Sequence, residues 1–201
     1  MWYTANEMFL YFLEEGEFSM EGVERYSVKL KPYNPDWEKE FRKAKEELED
    51  SLTEAVIDIQ HVGSTAIPSV LAKPVLDIAV LLNQITEREI HNIEKLGYEY
   101  RGMPEKDSNY HLFVMRDKRQ FSLRHLHCYS RRESGFAYLV AFRDYLNAHE
   151  TAAKEYEDLK KELSEKFQND RSAYTKGKSV FIQKIYEKIK GEMINIEKEK
   201  K

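Results

Sequence analysis

Apolar residues recur at three- and four-residue steps from Trp37 through Phe41, Ala44, Leu48 and Leu52, which predicts an amphipathic helix across "DWEKEFRKAKEELEDSL". Pro35 and Asp36 suit its first turn, because proline's φ is already helical and an acid offsets the positive end of the helix dipole. Just before it, Val28 and Leu30 alternate with Lys29 and Lys31 ahead of the turn "PYNP", the pattern of a short strand. After the helix the period changes to two. "AVIDIQHV" alternates apolar and polar residues and reads as a strand, whereas "PVLDIAVLL" is almost continuously apolar, as a strand covered on both faces is. "ITEREIHNIEKLG" follows as a capped amphipathic helix closed by Gly97. "YEYRG", "YHLFVMRD" and "QFSLRHLHCYS" read as further strands, the last two joined by "RDKRQ".

From Glu133 onward the chain turns to helix formers. "GFAYLVAFRDYLNAHE", "TAAKEYEDLKKELSEKFQND" and "RSAYTKGKSVFIQKIYEKIKGEM" predict three helices, with Thr151 and Asp170 as N-caps, before a frayed tail "NIEKEKK". The expected architecture is α/β (α+β): a mixed β-sheet with flanking helices and an appended C-terminal helical layer. Residues 1–27 form an extension whose "NEMFLYFLEEGE" has the pattern of a short helix, 28–132 the α/β core, and 133–201 helices packed on that core. No low-complexity linker divides the last two, so they are expected to form one unit.

Composition narrows the function classes. At 201 residues the chain can bury a substantial core, and no apolar run nears the ~18 residues that span a bilayer. The opening "MWYTANEMFLYFLEEGEFSMEGVERYS" has neither the basic start nor the unbroken apolar stretch of a secretory leader, so a cytoplasmic location is expected and a membrane partner is not. Cys128 stands alone, which excludes an internal disulfide and paired-cysteine metal motifs; it reads as a small core residue. A net charge of -4 disfavours a nucleic-acid polymer as partner, while leaving room for a local basic pocket that takes a small phosphate compound.

The candidate chemistry lies in "HVGSTAIPSVLAKPVLDIAV", His61 to Val80. Gly63 and Ser64 follow one strand and precede a brief helical segment, so backbone N–H groups and the Ser64 and Thr65 hydroxyls can converge on a phosphate. Asp77 stands between Leu76 and Ile78 in the next strand, where a carboxylate is costly to bury unless it meets a cleft, a metal or a basic partner such as Lys73. A plain turn and a satisfied structural acid are the alternatives. His125 and His127 flank Leu126 on a strand, so both rings point to one face. With Asp77 they compose a transition-metal ligand set, the alternative being a hydrogen-bonded surface pair. His61 and Arg124 are expected to line the same cleft. Neither a P-loop nor a dinucleotide-binding glycine pattern is present.

A Gly-Ser turn followed by an aspartate in an apolar strand resembles the signature of the nucleotidyltransferase superfamily. More closely, "HVGSTAIP", "AKPVLDI", "HLHCY", "AFRDYL" and "YTKGKSVFI", five ordered blocks between Val28 and Lys190, resemble the GrpB family, some members of which are fused to dephospho-coenzyme A kinase. The resemblance implies a nucleotidyltransferase-like fold and a nucleoside triphosphate held by Gly63, Ser64, Thr65 and Lys178. It implies a divalent metal (magnesium, manganese or zinc) at Asp77 with His125 and His127, and Lys73 or Arg143 facing developing negative charge. The superfamily pattern expects a second carboxylate two residues after the first; here that position is Ala79. Two functions therefore stay open. One is metal-dependent transfer of a nucleotidyl or phosphoryl group to a small acceptor; the other is non-catalytic binding of a nucleotide or phosphorylated metabolite.

Overall fold

The computed structural model of the chain describes residues 20–24, 27–104, 109–131 and 134–199, with side chains through residue 192. The predicted helix in "NEMFLYFLEEGE" lies outside them. Helix α1 (Asp36–Leu52) leads into β1 (Val56–Val62), a single 3-10 turn (Ser64–Ala66) and β2 (Leu76–Leu82). Then come α2 (Glu87–Lys95), β3 (Glu99–Tyr100), β4 (Tyr110–Arg116) and β5 (Ser122–Ser130), followed by α3 (Gly135–Ala148), α4 (Glu150–Lys166), α5 (Arg171–Gly177) and α6 (Ser179–Glu199). The strands form one five-stranded mixed sheet in the order β1-β2-β5-β4-β3. Only β2 and β5 run parallel; the other neighbours are antiparallel.

Period-two alternation decides what each face carries. One face presents Ile59, Leu76, Ile78, Val80, Phe113, Met115, Leu126 and Cys128, and α1 buries Trp37, Phe41, Ala44, Leu48 and Leu52 in the same core. These are the residues that define the apolar stripe in the sequence. The opposite face presents Val62, Ala79 and Tyr129 to Phe136, Leu139 and Val140 of α3. A further cluster of Phe142, Tyr145, Leu146, Tyr156 and Ile185 ties α3, α4 and α6 together, so the C-terminal helices pack on the second face of the sheet.

Several local expectations change. Residues 28–31 make no strand: Lys31 and Ala72 form an isolated bridge, while Val28 N–H donates to the Gln168 carbonyl. Thr86 caps α2 in a reciprocal box with Glu89, and Gly97 closes it at φ +88°. Asp170 caps α5 by accepting from Ala173 N–H at 2.9 Å, but α4 begins at Glu150, so Thr151 lies inside the helix. The predicted third C-terminal helix is two. It breaks at Lys178, after Gly177 comes so close to α4 that a Cβ there would lie 2.6 Å from Leu163 Cδ2. Helical backbone continues through Glu199, where a frayed tail was expected. The end of the extension is attached: Met20 enters the main core, and Val23 exchanges two backbone hydrogen bonds with Ser122.

Arg124 requires a correction. It neighbours His125 in sequence, but the same alternation that sends His125 to one face sends Arg124 to the other, under α1. There its fully buried guanidinium pairs with Glu47 at 2.8 Å and Glu40 at 3.2 Å. It therefore belongs to the core and not to the cleft. Removing one partner of a buried ion pair leaves the others uncompensated. Arg124→Ala should cost roughly 3 kcal/mol or more in urea unfolding; a loss below about 1 kcal/mol would contradict the structural role.

Candidate functional site

The site is assembled where β1 ends beside the start of β2. Val62 pairs with Asp77 across the strands, and the chain turns at Gly63 immediately afterwards. Gly63 has φ +69° and ψ -170°, a backbone conformation restricted almost entirely to glycine, and a Cβ there would lie 2.5 Å from Asp77 Oδ2. Glycine thus serves both the turn and the close approach of the carboxylate. The 3-10 turn that follows is held by the Thr65 hydroxyl's contact with His61 Nε2 at 2.9 Å, and the Ser64 hydroxyl acts on the buried Tyr156 phenol of α4.

Asp77 faces β5 in register with His125, and Ala79 in register with His127. Asp77 Oδ1 lies 3.0 Å from His125 Nδ1 and 3.4 Å from His127 Nε2. The far nitrogens are engaged too: Tyr110 Oη sits 2.8 Å from His127 Nδ1, and an Arg171 guanidinium nitrogen 3.2 Å from His125 Nε2. Burial alone would raise the Asp77 carboxyl pKa, but hydrogen bonds and charge from the two imidazoles outweigh it and hold the carboxyl well below its usual range. Burial lowers the His125 pKa despite the pull of Asp77. About a third of the Asp77 side chain, 32%, stays open to the cleft, which leaves it reachable by a ligand.

The cleft has a volume of about 1020 Å³, and basic side chains outnumber acidic ones along it. Lys73, before β2, and Lys178, at the α5–α6 break, hold their ammonium groups 5.4 and 4.7 Å from the Tyr174 ring centre. Among the described residues neither makes a hydrogen bond or ion pair. Burial drives the Lys73 pKa down to about 7, helped by Arg171 and Lys178 and opposed by Asp77; Lys178 is lowered chiefly by burial as well. Behind them Lys160 of α4, 1% exposed, donates to the Leu71 carbonyl and is lowered to about 7 by burial. On the far wall, Leu112 and Val114 continue the sheet surface to Arg101 and Arg116, both ion-paired to Glu99.

Of the residues singled out in the sequence, the structure brings Gly63, Ser64, Thr65, Lys73, Asp77, His125, His127 and Lys178 to this one cleft. Three expected members lie elsewhere. Arg124 is beneath α1. His61 shares its face of β1 with Ile59, stacks on Phe41 at 5.1 Å, and supports the turn from behind. Arg143, on α3, donates to the His61 carbonyl at 2.7 Å and to Gln60 Oε1 at 3.0 Å, pinning the helix to β1. Arg171, Tyr110 and Tyr156 were not singled out as site residues. Arg171 directly follows the capping Asp170 and precedes "YTKGKSVFI", which was the available signal; a lone strand tyrosine and a helical tyrosine carried none.

Ala79 is fully buried against Val62, Tyr129 and Phe136. Its methyl group occupies the position of the second carboxylate in the superfamily pattern, and the His127 ring on the adjacent strand reaches Asp77 instead. The donor atoms of Asp77, His125 and His127 lie within 4.8 Å of one another. The 3.4 Å from Asp77 Oδ1 to His127 Nε2 matches the ~3.4 Å expected between donors held ~2.1 Å from a tetrahedral ion, and the 3.0 Å to His125 Nδ1 is shorter, a hydrogen-bond distance.

These features define a mixed α/β protein in which Asp77 and two imidazoles open onto a cleft that also carries Lys73, Arg171 and Lys178. The chain belongs to the GrpB family, the GrpB protein pattern being matched over residues 27–188. It is 36% identical to the glutamate-rich protein GrpB of Alkalihalophilus pseudofirmus over 83% of this chain and 98% of that one. It is 30% identical to the UPF0157 protein YqkA of Bacillus subtilis over 81% of this chain and 47% of that protein. The crystal structure of the conserved protein GrpB from Enterococcus faecalis superposes with a TM-score of 0.71 and 28% identity, covering 80% of this chain and 96% of that one. Among the described residues no helix is long and apolar enough to cross a membrane.

Gly63→Ala should lower stability by about 1–3 kcal/mol from backbone strain alone and shift the His125 and His127 resonances as Asp77 is displaced; an unchanged unfolding midpoint would contradict the close approach. Lys73 yields a pH prediction. Below pH 7 the folded state bears the full cost of a buried ammonium. That cost is relieved as pH rises from about 7 toward the ordinary value of 10.5, because only the unfolded chain remains protonated there. Lys73→Met should therefore raise the melting temperature most at pH 6 and progressively less toward pH 10; a gain independent of pH would remove the charge explanation.

Proposed function

We propose that this GrpB-family chain is a nucleotidyltransferase-like protein. It holds a nucleotide or similar small phosphorylated compound in the basic cleft and, with a divalent metal, transfers a nucleotidyl or phosphoryl group to a small acceptor. The observation that carries the reading is convergence. The Gly63–Ser64 turn, a carboxylate between two imidazoles, and two lysines that make no ion pair among the described residues face one cavity. Partly buried ammonium groups without an ion pair are costly, and an anionic ligand would add counter-charge to that of Asp77.

Asp77, His125 and His127 would hold the metal, a donor set that suits zinc or manganese better than magnesium. Bound there, an ion would act as a Lewis acid on a phosphoryl oxygen. The protein's own share is positional and electrostatic. Backbone N–H groups of the turn and the ammonium groups of Lys73 and Lys178 would fix the phosphate chain and stabilise the charge that builds up on it. Tyr110 would orient His127 through its second nitrogen. A cytoplasmic location is part of the same proposal.

The second reading, a non-catalytic binder on the same fold, is favoured by Ala79, since α3 seals the position where the superfamily pattern has its other carboxylate. Calorimetry with ATP, CTP, GTP and UTP, with and without magnesium, manganese or zinc, should show binding to at least one pair; none under any condition would sink both readings. Release of pyrophosphate or phosphate then separates enzyme from binder. Asp77→Asn should reduce that turnover at least a hundredfold, roughly the few kcal/mol a bound ion contributes, and persistence of turnover would take Asp77 out of the metal role.

A further inference from the structure

The two imidazoles beside Asp77 differ in what holds their outer nitrogens. His127 Nδ1 meets the Tyr110 hydroxyl at 2.8 Å, a group that donates or accepts by rotating its proton. His125 Nε2 meets the Arg171 guanidinium at 3.2 Å, a group that only donates. His125 Nε2 must therefore present its lone pair to Arg171, and the ring proton lies on Nδ1, donated to Asp77 Oδ1 at 3.0 Å. His127 can exchange tautomers while keeping its outer partner. His125 cannot.

A cation shared by the three inward-facing atoms, Asp77 Oδ1, His125 Nδ1 and His127 Nε2, needs the His125 Nδ1 lone pair. The ring proton then moves to Nε2, directly against an Arg171 N–H. Two donors facing each other across 3.2 Å repel, so Arg171 has to leave. It starts α5 on the wall of the cleft that also carries Lys73 and Lys178, the two ammonium groups without an ion-pair partner among the described residues.

We infer that Arg171 is an exchangeable latch on His125: while engaged it keeps the ring in the tautomer that excludes a divalent metal, and once released it joins the lysines in holding a phosphate-bearing anion. Metal and anion then favour each other's binding through one side chain, and the effect is reciprocal because each ligand stabilises the same released position. The inference rests on the metal site proposed above but not on any nucleotide or on turnover.

Histidine ¹⁵N spectroscopy of the whole chain tests it directly. Metal-free protein should show His125 protonated on Nδ1, and zinc-loaded protein should show it protonated on Nε2. Metal-free protein already protonated on Nε2, or zinc that binds without changing His125, overturns the latch. Inorganic triphosphate added without metal should shift the Arg171 guanidinium ¹⁵N signals as it draws that group off His125 Nε2, while the ring proton stays on Nδ1 against Asp77; absence of binding, or binding that leaves the guanidinium signals unmoved, overturns the anion half. The Arg171 guanidinium ¹⁵N signals separate the latch from simple charge, because zinc loading should break the hydrogen bond to His125 Nε2 and shift them. Arg171→Met, which has no donor for Nε2, should bind zinc about tenfold more tightly than the unaltered chain, measured against a competing chelator, the lower end of what partners of metal ligands command. Guanidinium signals unmoved by zinc would reduce Arg171 to a repelling charge and end the proposal, as would an unchanged zinc affinity in Arg171→Met. Loss of all nucleotide binding, with these tautomer changes intact, would instead count against the proposed function alone.

Discussion

Asp77 places an ionised carboxylate in a strand whose neighbours on both sides are fully buried, and compensating that charge organises everything around it. Desolvation by itself would force the group to take up a proton. Two imidazoles in the same sheet layer reverse that outcome by hydrogen bonding to the anion. The arrangement demands a parallel β2–β5 pairing in the observed register, because a one-residue slip would send both rings to the opposite face. It also demands glycine at position 63, where any side chain would collide with the carboxylate. The turn, the strand register and the acid are therefore a single constraint seen from three places.

The C-terminal helices complete the site as well as covering the sheet. α3 seals Ala79, α4 sets Tyr156 near the Ser64 turn, and the short α5 brings Arg171 against His125. The break between α5 and α6 turns Lys178 inward, and it occurs where Gly177 packs closely on Leu163 of α4. An excess of positive charge is thus gathered on one wall although the chain as a whole is acidic. Such a wall is inexpensive only when the lysines shed their protons or an anion arrives, which is why burial and charge repulsion lower Lys73 so far.

Much of this was legible in the chain because it follows from short-range periodicity. The 3.6-residue stripe of α1, the alternation in β1, the continuous apolar run of β2, and the shared face of His125 and His127 each depend on local geometry alone. Where expectations failed, the cause was distance. Adjacency in sequence grouped Arg124 with the histidines, although period-two geometry sends it beneath α1 to Glu40 and Glu47. Arg143 sat in a recognisable block, yet its guanidinium fixes α3 to the end of β1 and does not reach the cleft. Lys160 resembled any solvated helical lysine until α4 was packed against the 67–75 segment and the ammonium met the Leu71 carbonyl.

The amino-acid sequence by itself determined the main helices and sheet strands, the two-sided burial of β2, and the shared face of two imidazoles on β5. Those properties are set by side-chain period and by the cost of burying polar groups. Only the tertiary structure decided that Asp77 joins that face, that the face and the C-terminal helices line a common hollow, that Arg171 reaches His125, and that Lys73 and Lys178 make no ion pair among the described residues. Those facts depend on how elements far apart in the chain approach one another, and no local pattern encodes a distance of that kind.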